Sequence, residues 1–241
     1  MFPLEGIRVL DLMTLSGYCG MELADYGAEV IKVESPEGDP LRSLAPLKNG
    51  ASVHHAFRDR GKKSITLNLW HSEGKEIFKK LVETADVVLE NFAPNTMEEL
   101  GLGYDVLSAI KPSLVYGRIS GYGSTGEGAN MPQLDLIAQA KSAVMHFTGF
   151  PENEPTRIGF AISERYAASF LSSAICLARC GRLCRDQHPR PFQQDASRSE
   201  RLRCRTSGRT QRGNPAAAWL WAGPHRQSAR RGRSTPGRLM V

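Results

Sequence analysis

The chain has 241 residues, 41% hydrophobic and 23% charged, which suits one large or two small globular domains. Its net charge of +6 averages two unlike pieces: residues 179–241 hold 15 Arg, no Lys and three acids, a net of +12, whereas residues 1–178 carry −6. No apolar run reaches the roughly 20 residues that span a bilayer, and the opening Met-Phe-Pro-Leu-Glu-Gly lacks the regions of a signal peptide, so cytoplasmic residence without a membrane partner is the expectation.

Ile7–Leu12 is a branched apolar run suited to a buried strand. Glu22–Tyr26 carries a helical pattern that stops at Gly27, and Glu29–Glu34 alternates as a second strand. Ser35 to Pro40 is a loop by its turn chemistry, and Ser64–Leu69 reads as a third strand. Ser72 opens a helix in which Ile77, Phe78, Leu81 and Val82 form one stripe. Asp86–Glu90 is a fourth strand, Tyr104–Ile110 a short helix, and Leu114–Ile119 a fifth strand. Helical stretches at Gln133–His146 and Ala161–Ala178 complete the pattern. Strands alternating with helices predict βαβ units, hence an open, Rossmann-like parallel α/β sheet over residues 1–178. Residues 179–241 read as an Arg-rich tail of low order. High Arg, Pro, Ser and Gly without Lys is what a GC-rich gene gives out of frame, so a frameshift near codon 179 is expected.

Five Cys, at 19, 176, 180, 184 and 204, form no disulfide-like framework. Cys176, Cys180, Cys184 and His188 recur every four residues, but that spacing spreads them over three helical turns, and no metal site is expected. Gly121-Tyr-Gly-Ser-Thr-Gly126 follows a strand and fits the dinucleotide fingerprint, yet Glu127 to Pro132 continues as loop rather than helix, which favours a plain glycine loop. Asn91 and Phe92 end the fourth strand, at the edge where open α/β sheets bind ligands. There they either bond and stack on a ligand or simply cap and pack a turn. Asp59 to Ser64 is a basic turn that either meets phosphate or is solvated. Glu164 opens the last helix, where the dipole alone accounts for an acid; a nucleophilic carboxylate is the other reading.

In this order the pieces resemble the class III CoA-transferase family, the CaiB/BaiF group of carnitine dehydratase and bile-acid-inducible protein F. The residues that carry the resemblance run from Leu4-Glu-Gly-Ile-Arg-Val-Leu-Asp-Leu12 through Leu23 to Glu34, Gly38-Asp-Pro-Leu-Arg42 and Arg60 to Ser64. They continue with Ala85 to Phe92, Gly101 to Tyr104, and Asp135-Leu-Ile-Ala-Gln-Ala140 with Thr148-Gly149. The resemblance implies transfer of CoA from an acyl-CoA to a small carboxylic acid through a carboxylate thioester, with CoA as substrate and no permanently bound cofactor. It carries CoA contacts onto Leu67, Asn91, Phe92, Thr96 and Leu100, and the nucleophile onto Glu164. It also implies an interlocked homodimer, completed by a second domain and a glycine-rich loop.

Several departures accompany it. The nucleophile of the family is Asp; Glu164 adds a methylene, about 1.5 Å, and a displacement of about 1 Å can cost on the order of a hundredfold in rate. Ser35 stands where a basic residue is often found, and the loop after the first strand lacks the family's Gly-Pro. An inactive product, an acyl-CoA racemase of the same fold, and nucleic-acid binding by the tail are alternatives. The racemase reading is weakened by Leu134, where a His is expected before Asp135. The tail has few aromatics (Phe192, Trp219, Trp221) and no helix or RNA-binding motif to frame its arginines, so a nucleic-acid partner is not expected.

Overall fold

The structure, a computed structural model, describes residues 2–187 and 238–240. In chain order it contains β1 (Arg8–Asp11), α1 (Tyr18–Asp25), β2 (Glu29–Glu34), a 3₁₀ turn (Pro40–Ser43), β3 (Leu47–Lys48), β4 (Ala51–Ser52) and α2 (Val53–Arg58). These are followed by β5 (Lys62–Thr66), α3 (Ser72–Thr84), β6 (Val87–Glu90), α4 (Thr96–Glu99), α5 (Tyr104–Ile110), β7 (Val115–Arg118), α6 (Asp135–Lys141), α7 (Ile162–Gln187) and β8 (Arg238–Met240). The chain divides into two compact units, Met1–Cys184 with Thr235–Val241, and Arg185–Ser234; of the second, only the end of α7 is described.

β3 and β4 form a small antiparallel hairpin. The other six strands are parallel in the order β5-β2-β1-β6-β7-β8. Numbered along the chain this is the doubly wound order 3-2-1-4-5-6, in which the winding reverses between the first and fourth strands, β1 and β6. Successive residues of a strand point to opposite faces, and the sequence uses both. Val9, Val87, Leu89 and Val115 pack under α1 and α7 with Leu23, Leu171 and Ile175. Leu10, Val88 and Tyr116 pack under α3 and α5 with Phe78, Val82 and Leu107. Gly117 lets α7 approach the sheet: a Cβ there would sit 3.0 Å from Leu89 and 3.1 Å from Leu171.

The predicted α/β architecture is present, with shifted boundaries. The third strand runs 62–66 rather than 64–69, because Lys62 and Lys63 pair with Val30 and Ile31. An ammonium inside a strand escapes a hydrophobic-pattern reading; here the Lys62 side chain is buried against Asp11 and Asp59. The helix predicted over 133–146 spans only 135–141, and Ala143 beyond it takes a left-handed φ of 62°. α2, capped by the Ser52 hydroxyl, and the four-residue α4 were not anticipated. α7 passes Ala178 and continues to Gln187, and β8 satisfies the outer edge of β7. Residues 188–237, with most of the Arg-rich tail, lie outside the described residues, as do the side chains of Cys180 and Cys184.

Candidate active site at the switch point

Two clefts open at the carboxyl edge of the sheet, one on each side of Phe92. Between them the chain leaving β1 is bound to the chain leaving β6: the Asn91 amide donates to the Thr14 carbonyl (2.9 Å) and accepts from the Thr14 N–H (2.8 Å). Asn91 is therefore a clamp across the switch point, and its amide already has a partner on each side.

The loop after β1 is held from below by buried cations. Lys32 donates to the Met13 carbonyl, Arg58 to that of Leu15 (2.6 Å), and Lys62 to that of Gly17 (2.8 Å). Three alternate carbonyls of a turn that takes left-handed φ at Leu15 and Gly17 are thus satisfied. Acids balance the charge: Lys62 meets Asp11 and Asp59, each at 2.7 Å, and Lys32 meets Asp39 at 2.8 Å. Burial pushes the Asp11 carboxyl up, but Lys62 and Lys32 outweigh it and hold it below the ordinary range. The basic turn before β5 is divided: Lys62 is internal, whereas Lys63 and Arg60 stand in solvent and pair with Glu29 and Asp25.

The first cleft, about 600 Å³, lies over the ends of β1, β2 and β5. Of the five residues assigned to CoA by resemblance, Leu67, Phe92, Thr96 and Leu100 line it; Asn91 does not. Trp70, 71% exposed, forms its rim with Glu37. Glu34 at the end of β2 accepts two hydrogen bonds from Arg42 (2.6 and 2.7 Å), one from Ser64 and one from the Asp39 N–H, and the Arg42 bonds chiefly hold its carboxyl down at about 2.

The second cleft, about 410 Å³, brings Asn91 and Phe92 together with Glu164, Asp135 and Ser163. Glu164 is half-buried in the first turn of α7, and burial first, then the neighbouring Asp135 charge, raise its carboxyl against the pull of Arg58. Asp135 Oδ1 accepts from both the N–H (2.8 Å) and the hydroxyl of Ser163. Gln139, 2% exposed, donates to Asp135 (2.6 Å) and accepts from the Ile158 N–H (2.8 Å). The start of α7, and with it Glu164, is thus fixed to α6. Although burial raises it, Asp135 stays below its ordinary value because of the Ser163 and Gln139 hydrogen bonds. Sequence reasoning found Asp135 only as part of a motif; its partner Ser163 is 28 residues away, beyond any local signal. Arg58 and Arg165 flank the Tyr18 ring, 4.6 and 5.0 Å from its centroid.

Leu134, exposed, precedes Asp135 at the rim, and among the described residues no imidazole lines either cleft. Gly121 packs on Gln133 and no helix begins at Gly126, which agrees with the loop reading of the glycine motif. Among the described residues no group of His, Cys, Asp and Glu is arranged to hold a metal ion.

The fold and sequence of this chain recur in known proteins. Over 180 residues the chain is 43% identical to succinyl-CoA–D-citramalate CoA-transferase of Chloroflexus aurantiacus, covering 73% of this chain and 45% of that protein. It is 44% identical over 160 residues to acetyl-CoA:oxalate CoA-transferase of Acetobacter aceti, covering 65% of this chain and 41% of that one. A solved CAIB/BAIF family protein from Brucella suis superposes with a TM-score of 0.71 at 36% identity, over 78% of this chain and 51% of that chain. The chain therefore spans less than half the length of the two curated relatives. The model of CoA-transferase family III matches residues 4–187, and the chain belongs to that family.

Proposed function

We propose that this chain contributes the nucleotide cleft and the nucleophile of an enzyme that moves CoA from an acyl-CoA to a small carboxylic acid. The observation that carries the reading is Glu164: a half-buried carboxylate in the second cleft, separated from the first by one ring, Phe92. The first cleft takes the nucleoside end of the thioester, with Leu67, Phe92, Thr96 and Leu100 against it. Asn91 acts by holding the two strand exits together.

In the first half-reaction a Glu164 oxygen attacks the thioester carbonyl, giving an acyl–glutamyl anhydride and the CoA thiolate. The thiolate then attacks the glutamyl carbonyl, which expels the donor acid as carboxylate and leaves CoA on Glu164 as a thioester. In the second half-reaction the acceptor carboxylate attacks that thioester and the same two exchanges run in reverse order, which regenerates Glu164. Protons do not change hands, so no general base is required. The attacking group is the ionised form, and its raised basicity strengthens it as a nucleophile once deprotonated.

Both relatives named above are CoA-transferases named for small acids, D-citramalate and oxalate, which supports the same class here. We also propose self-association, since Phe147, Phe150, Phe170 and Leu177 expose more than half their surface. Cytoplasmic residence accords with this reading; no described helix is long and apolar enough to cross a membrane. The test is incubation with acyl-CoA followed by mass spectrometry of the Glu164 peptide. A CoA thioester on Glu164, absent from Glu164→Gln, is the expected result; an unmodified peptide sinks the proposal.

A further inference from the structure

We infer that the first cleft recognises the uncharged face of a nucleoside and gives no advantage to a phosphate carried on it. If so, the chain binds 3′-dephospho-CoA as tightly as CoA. The inference rests on the reading that the ligand is a CoA thioester, and adds which part of it the protein selects.

The wall of the cleft supports this from its side chains. Leu12, Leu67, Leu100 and the Phe92 and Trp70 rings supply flat apolar surface, while among the described residues its charged groups are three carboxylates, Glu34, Glu37 and Asp39. Two of these are already matched from within the protein, Glu34 by Arg42 and Asp39 by Lys32. Glu37 is exposed on the rim, so the charge a ligand meets there is negative. The cations nearest the switch point are committed elsewhere: Lys32, Arg58 and Lys62 each hold a loop carbonyl from below. The Arg42–Glu34 pair is neutral as a unit, with the carboxylate held at about 2 and so ionised wherever the protein works. Among the described residues that line this wall, no cationic side chain offers a phosphate a charge-assisted hydrogen bond, and the phosphate faces the Glu37 carboxylate. An adenine ring and ribose, by contrast, find aromatic faces to stack on.

The experiment is titration calorimetry of the full chain with CoA and with 3′-dephospho-CoA at low and moderate salt. The two ligands are expected to bind within about threefold of one another, with little change on adding salt. In Glu37→Lys, on the exposed rim, CoA is expected to gain about fivefold over the dephospho form. Wild-type preference for CoA of tenfold or more, weakening with salt, overturns this inference and leaves the proposed function standing. Binding of neither ligand overturns both. Indifference in both wild type and Glu37→Lys means the cleft does not hold the nucleoside, and overturns the assignment.

Discussion

Asn91 grips the backbone of Thr14 on both sides, its carbonyl oxygen on the N–H and its amide nitrogen on the C=O. This one side chain joins the exits of β1 and β6 at the point where the winding reverses, and so fixes the width of the gap between the two clefts.

Asn91→Asp is expected to cost more than Asn91→Ala. The carboxylate keeps one bond but aims an oxygen at the Thr14 carbonyl, so the loss is about 2–3 kcal/mol against about 1–2 for the alanine. Urea denaturation of the two variants checks the order.

The start of α7 gives a prediction about pH. Because burial and Asp135 raise the Glu164 carboxyl, its labelling by acyl-CoA falls off, as pH drops, at a value above the ordinary 4.5. Asp135→Asn removes a negative neighbour and moves that fall to lower pH. It also weakens the cap on Ser163, a stability cost of about 1 kcal/mol. A labelling-rate profile shows the shift, and thermal melts show the cap.

Glu34 makes the protein acid-sensitive in a definite window. Its folded-state value, about 2, lies below the ordinary 4.5, so its contribution is present above 4.5 and is lost as pH falls toward 2. Glu34→Gln is expected to cost about 2 kcal/mol at neutral pH and to flatten the loss of stability across that window, as read from denaturation midpoints against pH.

Gly74, in the first turn of α3, touches the far wall of the first cleft. A Cβ there would lie 2.0 Å from the Asn68 carbonyl oxygen. Gly74→Ala is therefore expected to destabilise by about 1–3 kcal/mol despite alanine's better helix propensity. It should also weaken CoA binding by displacing Leu67–Trp70, which calorimetry measures.

The sheet was largely legible because its strands are apolar on both faces, as Val9 with Leu10 and Val87 with Val88 illustrate. What escaped were features built on polar groups inside the fold. The shift in β5 depends on Lys62 being neutralised by Asp11, 51 residues away, and the role of the basic turn follows from the same burial. Asn91 was identified as important at the right edge, but the residue it grips is 77 positions distant. The resemblance supplied the assignment of Glu164; local reasoning had favoured the helix dipole, and the residue does stand in the first turn of α7. Its place in a cleft depends on α7 packing against the sheet, which Gly117 allows.

Phe92 belongs to both clefts. A ligand that fills the two at once has to bend across this ring as a cord bends over a pulley. The length of cord between the anchored end and the ring then decides which atom arrives at Glu164. Shortening or lengthening the linker of the ligand by a single bond would present the wrong atom, however well the anchored end is held.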